Sequence, residues 1–462
     1  MEKVVVDAIA RSESSVVAIG LFRVGGIADG DGFGRSDGPR LDSIPDAYGT
    51  GVVLDRRGLI LTNYHVLREE SRAYVRIGGQ PFWCTVRVKA ADPLSDLAVL
   101  EIIDPPPAKL PLRPIVLGDG MHLKRGQIVI ALGNPYAIAR DGQASAAWGI
   151  VSNLGRRAPP TGEDRTPDQR PTMHHFGTLI QTDARLNWGT SGGALLNLQG
   201  EMIGLTTSLA ATSEYEQAAG YAIPIDDTFR RVINTLKEGR EVDYGFLGVM
   251  HEAILAGDLQ PDRPGLYVKH VTPGGPAARA GLSGGEWITH IGGRAIHNFD
   301  DLRLAVGRYA AGDGAPVIYE RRSERGNFSG TANIVLGKYH RAVDNKAREA
   351  IFTVRDPAWR GMTVDFASIV DRTNDGLPTR VVTAEVAEDS AAYQAGVRSG
   401  MFIASIGATP IDSPAEFRRT VQSLTGEVTV TFIEDSRFRE FPRQQLIAIP
   451  AQPRAIDPPV KK

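Results

Sequence analysis

Residues 189–195 have the sequence GTSGGAL, in which Ser191 stands between glycines and leads into an apolar strand. A nucleophilic serine needs an exposed hydroxyl, backbone N–H groups aimed at the developing oxyanion, and room for a substrate. The flanking glycines supply the last two. Taken alone, the heptapeptide is as compatible with a Gly/Ser turn between strands, so a catalytic interpretation depends on a base and an acid elsewhere.

Two candidate partners lie upstream of the serine. His65 follows an apolar strand in LILTNYHVL (residues 59–67), and Asp96 precedes one in LSDLAVL (residues 94–100). Alone, each is more often structural, as a satisfied histidine or a turn aspartate. Together, His65, Asp96 and Ser191 have the chain order of the chymotrypsin-type triad, the reverse of the α/β-hydrolase order. We therefore predict a serine-protease triad.

The surrounding sequence, from about residue 16 to 225, consists mostly of short β-type runs separated by Gly, Asn, Asp and Pro. This pattern predicts an all-β barrel or sandwich. Two long polar segments, residues 25–45 and 156–176, are typical of mobile functional loops. A helix is predicted over residues 226–238, at the end of this region.

Beyond this region the chain repeats itself. VTPGGPAARAGLSGGEWITHIGG (residues 271–293) aligns without a gap with VAEDSAAYQAGVRSGMFIASIGA (residues 386–408). Two copies do not make a solenoid, so they predict two similar small domains. The predicted domains are 1–240, 245–340 and 350–452, with a disordered tail over 453–462.

Composition narrows the function classes. Lys+Arg 52 against Asp+Glu 54 is too balanced for a protein that relies on neutralising phosphates, so no nucleic-acid partner is expected. The chain has a single cysteine, Cys84, which permits no intramolecular disulfide and is most simply a buried strand residue. The sequence contains no run of about 20 apolar residues, so no membrane-spanning segment is predicted. No cleavable signal peptide is evident at the start of the sequence.

At this point the chain resembles the HtrA (high-temperature-requirement, Deg) family of serine proteases. The resemblance is carried, in the family's order, by short motifs over residues 12–230. They are GTGVV (49–53), LTNYHV (61–66), SDLAVL (95–100), ALGNP (131–135), WGIVS (148–152), IQTDA (180–184), the serine motif, GEMIGL (200–205) and GYAIP (220–224).

The resemblance implies a mainly β fold: a chymotrypsin-like double β-barrel protease domain followed by two PDZ domains, each a small, partly open α+β barrel. It implies Ser191 as nucleophile, His65 as base and Asp96 as its orienting acid. The backbone N–H groups of Gly189 and Ser191 are expected to form the oxyanion hole.

The family pattern also implies a substrate pocket, which we assign to Arg185, Leu205 and Thr206. Arg185 lies six residues before the serine, where trypsin-like enzymes place the aspartate that selects cationic side chains. If Arg185 faces the pocket it should repel Lys and Arg, so we expect cleavage after small or medium aliphatic residues.

The repeats look like PDZ domains, which bind a peptide C-terminus through an X-Φ-Gly-Φ loop and strand addition. Phe246, Leu247, Gly248 and Val249 match this loop in the first copy. In the second copy Gly361 follows Arg360, which replaces the apolar residue. Arg360 could reinforce carboxylate binding, or the second domain could serve assembly alone.

The function expected from the family is an ATP-independent serine endopeptidase that degrades misfolded or unfolded proteins and is gated by PDZ recognition of C-termini. The alternative is a chaperone or scaffold with little proteolysis. A homotrimer or higher oligomer and an extracytoplasmic location are family expectations. No cofactor and no metal are expected. The calcium-like segment DGDGFG (29–34) lacks a ligand at position 33 and has Arg40 at the twelfth place, where Glu is needed, and His174-His175 has no third ligand nearby in the sequence.

Overall fold

The computed structural model describes residues 2–23, 39, 43–67, 71–134, 143–158, 172–207, 219–251, 264–323, 326–340, 351–370, 376–433 and 444–451. The chain divides into two compact units. One comprises Met1–Val242 with Val343–Arg355, and the other comprises Asp243–Ala342 with Asp356–Lys462. Strands dominate both units, which confirms the mainly β fold class.

Two antiparallel barrels build the first unit. The first barrel has the order β5-β4-β1-β2-β3-β6 and is closed by pairing of β5 with β6. Its apolar residues alternate inward, so a buried core fills it. Its strands are β1 (Val16–Arg23), β2 (Ala47–Val53), β3 (Leu59–Asn63), β4 (Ser71–Ile77), β5 (Cys84–Asp92) and β6 (Leu97–Asp104). Cys84 is fully buried at the start of β5, as predicted.

The second barrel closes in the order β10-β11-β12-β9-β8-β7 around its own apolar core. Its strands are β7 (Ile128–Gly133), β8 (Ser145–Arg156), β9 (Leu179–Thr182), β10 (Ala194–Leu196), β11 (Met202–Thr207) and β12 (Gly220–Pro224). The chymotrypsin-like double barrel is thereby confirmed. The loop from Arg156 to β9, like residues 25–45, lies largely outside the described residues.

Two helices of the described residues flank the barrels. The predicted helix is present as α2 (Asp227–Lys237), which begins where the Asp226 side chain accepts a hydrogen bond from the Phe229 amide at 2.7 Å. The N-terminal α1 (Glu2–Ser12) was not predicted, because its charged residues interrupt the apolar pattern. The Ser12 hydroxyl donates to the Gly200 carbonyl at 2.6 Å, which ties this helix to the turn between β10 and β11.

A short strand, β21 (Ile351–Phe352), extends the first barrel's sheet by pairing with Ala90 and Ala91 of β5. The amides of Thr353 and Val354 then donate to the carbonyl of Gly239 just after α2. Residues 351–355 therefore belong with the protease unit, whereas the sequence assigned them to the third domain. Strand pairing of two residues carries no sequence periodicity, which is why this placement was not predicted.

The second unit contains two modules, which we call the first module (residues 243–342) and the second module (residues 356–451). The first module has a sheet of order β14-β15-β16-β18-β19, with β17 beside β16 and a separate β13–β20 pair. Its elements are β13 (Gly245–Phe246), β14 (Val249–His251), β15 (Leu266–Val271), α3 (Pro276–Arg279), β16 (Glu286–Ile291), β17 (Arg294–Ala295), α4 (Phe299–Gly307), β18 (Gly314–Ser323), β19 (Gly326–Val335) and β20 (Gly337–Lys338).

The second module repeats this arrangement with the order β22-β23-β24-β26-β27 and β25 beside β24. Its elements are β22 (Met362–Phe366), β23 (Val381–Val386), α5 (Ala391–Gln394), β24 (Phe402–Ile406), β25 (Thr409–Pro410), α6 (Pro414–Val421), β26 (Val428–Ile433) and β27 (Gln444–Ile449). Each module buries its own core. The repeat seen in the sequence is thus a repeat of the whole sheet order. The predicted disordered tail lies outside the described residues.

Among the helices of the described part of the chain, none has the length and apolar character needed to cross a bilayer.

Candidate active site

His65 and Asp96 meet at one end of the first barrel. Asn63, the last residue of β3, pairs with Leu97, the first of β6, so the residues that follow β3 lie beside those that precede β6. The Nδ1 atom of His65 lies 2.8 Å from Oδ2 of Asp96. The His65 amide also donates to Oδ1 at 3.0 Å. Strand register therefore brings this pair together and orients the imidazole.

The Asp96 carboxylate is almost fully buried but well supplied with donors. The side-chain amide of Asn63 donates to its Oδ2 at 3.1 Å and to its backbone carbonyl at 3.2 Å, and the Tyr64 amide donates to the same carbonyl at 2.9 Å. Asp96 has a left-handed φ of 55°, which is uncommon for a residue other than glycine. Such backbone strain persists where surrounding contacts over-determine it, as at catalytic sites.

The ionisation of His65 is governed by this partner. Burial of the ring lowers its pKa, but attraction to the Asp96 carboxylate and the hydrogen bond between them raise it, and the net pKa lies above its ordinary value of 6.5. A carboxylate that stabilises the imidazolium is what a general base needs once it has accepted a proton.

Ser191 sits on two consecutive tight turns. The Thr190 amide donates to the Asn187 carbonyl at 3.1 Å, and the Gly193 amide donates to the Thr190 carbonyl at 3.0 Å. The third residues of these turns, Gly189 and Gly192, have φ of 93° and 85°. This is the type II pattern, which differs from type I by a half rotation of the central peptide. The left-handed Gly189 therefore sets the direction in which its own N–H points.

Thr50 of β2 connects the serine loop to the first barrel. Its hydroxyl donates to the Gly189 carbonyl at 2.6 Å and accepts from the Asn134 amide at 2.9 Å. Its amide donates to the Ser191 carbonyl at 2.8 Å. A Cβ added to Gly192 would lie 2.1 Å from the Thr50 carbonyl oxygen, so only glycine permits this approach. The GTGVV motif marks this strand, but sequence reasoning gave Thr50 no role.

Of the three residues predicted to line the substrate pocket, two are buried and one is exposed. Leu205 is fully buried within β11, so its side chain is closed to a substrate. Thr206 is also buried and donates to the Thr190 carbonyl at 2.6 Å, so it supports the serine loop. Arg185 is exposed to solvent, where its charge is screened. Leu186 points inward: a Cβ on Gly220 would lie 2.8 Å from its side chain.

Two further residues near the site were not assigned by the sequence. Trp188 occupies the turn that contains Gly189, and 79% of its surface is exposed, which leaves its indole open to a bound chain. His174 is buried behind the Asp96 segment: its Nε2 lies 2.8 Å from the Ser95 carbonyl oxygen and its Nδ1 lies 2.6 Å from the Thr178 hydroxyl.

The His174–His175 pair is part of the short 3₁₀ turn Met173–Phe176 and both rings are buried, in contrast to the polar loop expected there. Burial lowers the pKa of His174, so it is held neutral. Nδ1 of His175 lies 3.1 Å from the Thr172 carbonyl oxygen. Over the described ranges, no group of three or more His, Cys, Asp or Glu side chains is arranged to hold a metal ion.

The loop of the first module joins β13 to β14 at the edge of the sheet. The carbonyl of Leu247 accepts from the Ala277 amide and that of Gly248 accepts from the Thr272 amide, both at 2.9 Å. Gly248 has a φ of 77°, and the Leu247 side chain is buried in the core. The predicted residues Phe246 to Val249 thus run from the end of β13 to the start of β14, and β14 is the outermost of the described strands on this side of the sheet.

The corresponding loop of the second module is closed on itself. Trp359 and Met362 exchange both backbone hydrogen bonds, at 2.9 and 3.0 Å, across Arg360 and Gly361. Both central residues have positive φ, 53° and 86°, as a type I′ turn requires. The turn therefore engages the Trp359 and Met362 amides in hydrogen bonds to each other's carbonyls.

The Arg360 side chain is also committed within the module. It is almost fully buried, stacks on the Trp359 ring, and donates to the carbonyls of Gly426, Ile449 and Pro450. Of the two roles left open by the sequence, reinforcement of a peptide carboxylate does not fit this orientation.

Two known families match this chain, one in the protease unit and one in the first module. The trypsin-like peptidase domain family matches residues 49–205, and the PDZ domain family matches residues 245–330. The latter match covers the first module, so one PDZ domain is shown where the sequence predicted two.

Relatives extend over most of the chain. The periplasmic serine endoprotease DegP of Salmonella typhimurium is 30% identical over 384 residues, which span 82% of this chain and 72% of that protein. The periplasmic pH-dependent serine endoprotease DegQ of Escherichia coli is 28% identical over 394 residues, 82% of this chain and 78% of that protein. The solved structure of the HtrA-type protease AlgW with a tripeptide has a TM-score of 0.51 at 25% identity, and covers 72% of this chain and 96% of that one.

Proposed function

The chain belongs to the HtrA (Deg) family of serine endoproteases and is a serine-type endopeptidase, and from this premise we propose that its substrates are misfolded or unfolded polypeptides. A PDZ domain in the same chain favours polypeptide clients over small acyl substrates, since PDZ domains capture extended peptides. Hydrolysis proceeds without ATP, as the family resemblance implies.

We propose that Ser191 is the nucleophile, His65 the general base and Asp96 its orienting acid. Ser191 Oγ attacks the scissile carbonyl while His65 accepts its proton and later returns it to the leaving amine. Asp96 holds the imidazole tautomer and stabilises the imidazolium. The observation that carries this assignment is the 2.8 Å contact between His65 Nδ1 and the buried Asp96 carboxylate.

The oxyanion hole is assigned to the backbone N–H groups of Gly189 and Ser191. The type II turn at Gly189 and the Thr50 contacts on either side of it support the assignment, because they hold this backbone in one orientation. Loss of one oxyanion donor in serine proteases raises the barrier by about 3 kcal/mol.

Cleavage after small or medium aliphatic residues remains our proposal, but its support shifts from Arg185 to Leu186. An exposed guanidinium repels cationic side chains only weakly, whereas a half-buried leucine beside Gly220 offers an apolar wall. Mapping of cut sites in unfolded casein by mass spectrometry tests this proposal, and dominant cleavage after Lys or Arg contradicts it.

We propose that the first module captures peptide C-termini at residues 246–249 and that capture gates proteolysis. The position of β14 as the outermost described strand of its sheet and the loop with its left-handed Gly248 support strand addition there. The second module is proposed to be a second PDZ domain, because its sheet order repeats that of the first. Its closed loop favours a role in assembly over peptide capture.

A trimer or larger oligomer and an extracytoplasmic location follow from the family resemblance alone, and the relatives named periplasmic support the latter. Light scattering of the purified chain tests the oligomer.

Casein degradation with and without a peptide that ends in a free aliphatic carboxylate tests the main proposal. We expect the free-acid peptide to accelerate degradation, its C-terminal amide to have no effect, and Ser191→Ala to abolish degradation in every condition. If the wild type only suppresses casein aggregation and releases no fragments, the chaperone alternative is correct.

A further inference from the structure

A cleft lies between the first and second modules, and direct polar contacts hold its two walls together. The Leu377 amide donates to the Pro273 carbonyl at 2.8 Å. Nζ of Lys338 lies 2.8 Å from Oδ2 of Asp365, and the Ser368 hydroxyl donates to the Lys338 carbonyl at 2.8 Å. The cleft is therefore a defined feature of this unit.

Two arginines, one from each module, line the cleft. Arg279 ends α3, and Arg380 lies just before β23. Asp412 is the single carboxylate among the described residues that line the cavity; its Oδ1 lies 3.7 Å from Nε of Arg380, and its side chain is mostly exposed. Burial, and then the charge of Arg380, lower the pKa of Arg279 to about 10. Two guanidiniums against one exposed carboxylate leave net positive charge in the cleft.

The rest of the lining is made mostly of apolar residues, with Asn333, Ser368 and Thr379 as its polar members. The cavity has a volume of about 130 Å³, and its lining includes the buried side chains of Leu336, Ala367 and Leu377 beside Phe366. Apolar cavities of about 150 Å³ accept a ligand as large as benzene. The space therefore suits a short aliphatic group of four or five carbons, roughly a leucine side chain.

We propose that this cleft is a binding site for an aliphatic carboxylate, with Arg279 and Arg380 pairing with the carboxylate and the apolar wall receiving the aliphatic group. Guanidiniums form charge-assisted hydrogen bonds with carboxylates, and a monoanion neutralises the excess charge. The ligand is the C-terminal leucine or valine of a polypeptide, or a free branched-chain carboxylic acid. The site is separate from the loop at residues 246–249, and the proposal does not depend on proteolysis.

Isothermal titration calorimetry on the full chain carrying Ser191→Ala tests the proposal without cleavage of the probe. The probes are 4-methylpentanoate, its amide, and a hexapeptide ending in leucine as free acid and as amide. We expect the acids to bind and the amides not to bind, and we expect Arg279→Gln or Arg380→Gln to weaken acid binding by about tenfold or more. Arg380→Lys should retain part of the affinity.

Arg419→Gln is the matched control, because it removes one exposed charge from α6 of the second module away from the cleft. It should bind like the parent. Ala280→Leu, which narrows the apolar side and leaves both arginines, should also weaken binding. Binding that the arginine variants lose and that is tighter for the peptide than for 4-methylpentanoate identifies a polypeptide as the source, and the reverse identifies a free acid; peptide binding at residues 246–249 is retained in these variants. Binding of 4-methylpentanoate that is unchanged in both arginine variants, or absent in the parent, overturns the proposal.

Discussion

The two barrels of the protease unit hold their parts of the candidate site in different ways. In the first barrel, the register of β3 with β6 and several hydrogen bonds to Asp96 fix His65 and its partner. In the second, Ser191 rests on two glycine turns, whose position depends on contacts with Thr50 across the barrels. The acid–base pair is thus part of a sheet, whereas the serine loop is held by a few replaceable contacts.

The largest loss of activity is expected from a substitution at Asp96, in the first barrel. Asp96→Asn keeps the shape of the side chain but removes its charge and favours the wrong imidazole tautomer, so kcat should fall by about 10⁴-fold. The rate at which fragments are released from unfolded casein measures the change in kcat.

The pH profile of Asp96→Asn sharpens the same test. In the wild type the His65 pKa lies above 6.5, so activity should be lost as pH falls through that raised value. Without the Asp96 charge the residual acid limb should move to lower pH. An acid limb that stays in place would show that Asp96 does not act on His65.

Thr50→Val tests the contact between the Thr50 hydroxyl of the first barrel and the serine loop of the second. The nearly isosteric valine leaves the Gly189 carbonyl and the Asn134 amide without their partner, and such a loss costs about 1–3 kcal/mol. We expect kcat to fall by about 10–100-fold with little change in KM. Thr289→Val, which removes a similar buried hydroxyl-to-carbonyl bond in the first module, should leave kcat unchanged.

His174 is expected to position Asp96 through Ser95 and therefore to affect activity less. His174→Phe removes the Nε2 contact with the Ser95 carbonyl and should lower kcat by about tenfold. His174→Gln, which retains a donor, should recover most of the rate. If both variants lose stability and activity in parallel, with an unchanged pH profile, His174 is only a structural residue.

The smallest effect is expected at the rim of the serine loop. Trp188→Ala removes an exposed aromatic surface next to Gly189, and we expect a rise in KM of about fivefold with kcat retained. Trp148→Ala, which removes an exposed indole from β8, is the control and should leave KM unchanged. Equal effects of the two substitutions would count against a role for Trp188 in substrate contact.

The sequence predicts best those features that neighbouring residues determine. The apolar runs before His65 and after Asp96 predicted strands, and the repeat predicted two similar small domains, because these signals reside in neighbouring residues. It assigned no role to Thr50 or His174, which act through backbone carbonyls of distant segments. Hydrogen bonds of this kind leave no spacing pattern in the chain.

The pocket and the second module show a related limit. Arg185 and Leu186 differ by one position, and only the direction of the backbone decides which of them faces inward. Likewise, Arg360 appears in the sequence as a cation available to a carboxylate. In the fold, Arg360 is a central residue of a closed turn, and three backbone carbonyls accept hydrogen bonds from its guanidinium.

Covalent labelling by a fluorophosphonate, followed by intact-mass and peptide mass spectrometry, tests the central claim most directly. We expect one adduct per chain, located on Ser191, in the presence of an activating C-terminal peptide, and none in Ser191→Ala. An adduct on another residue in the wild type, or casein hydrolysis that persists in Ser191→Ala, would contradict the assignment of Ser191 as the nucleophile.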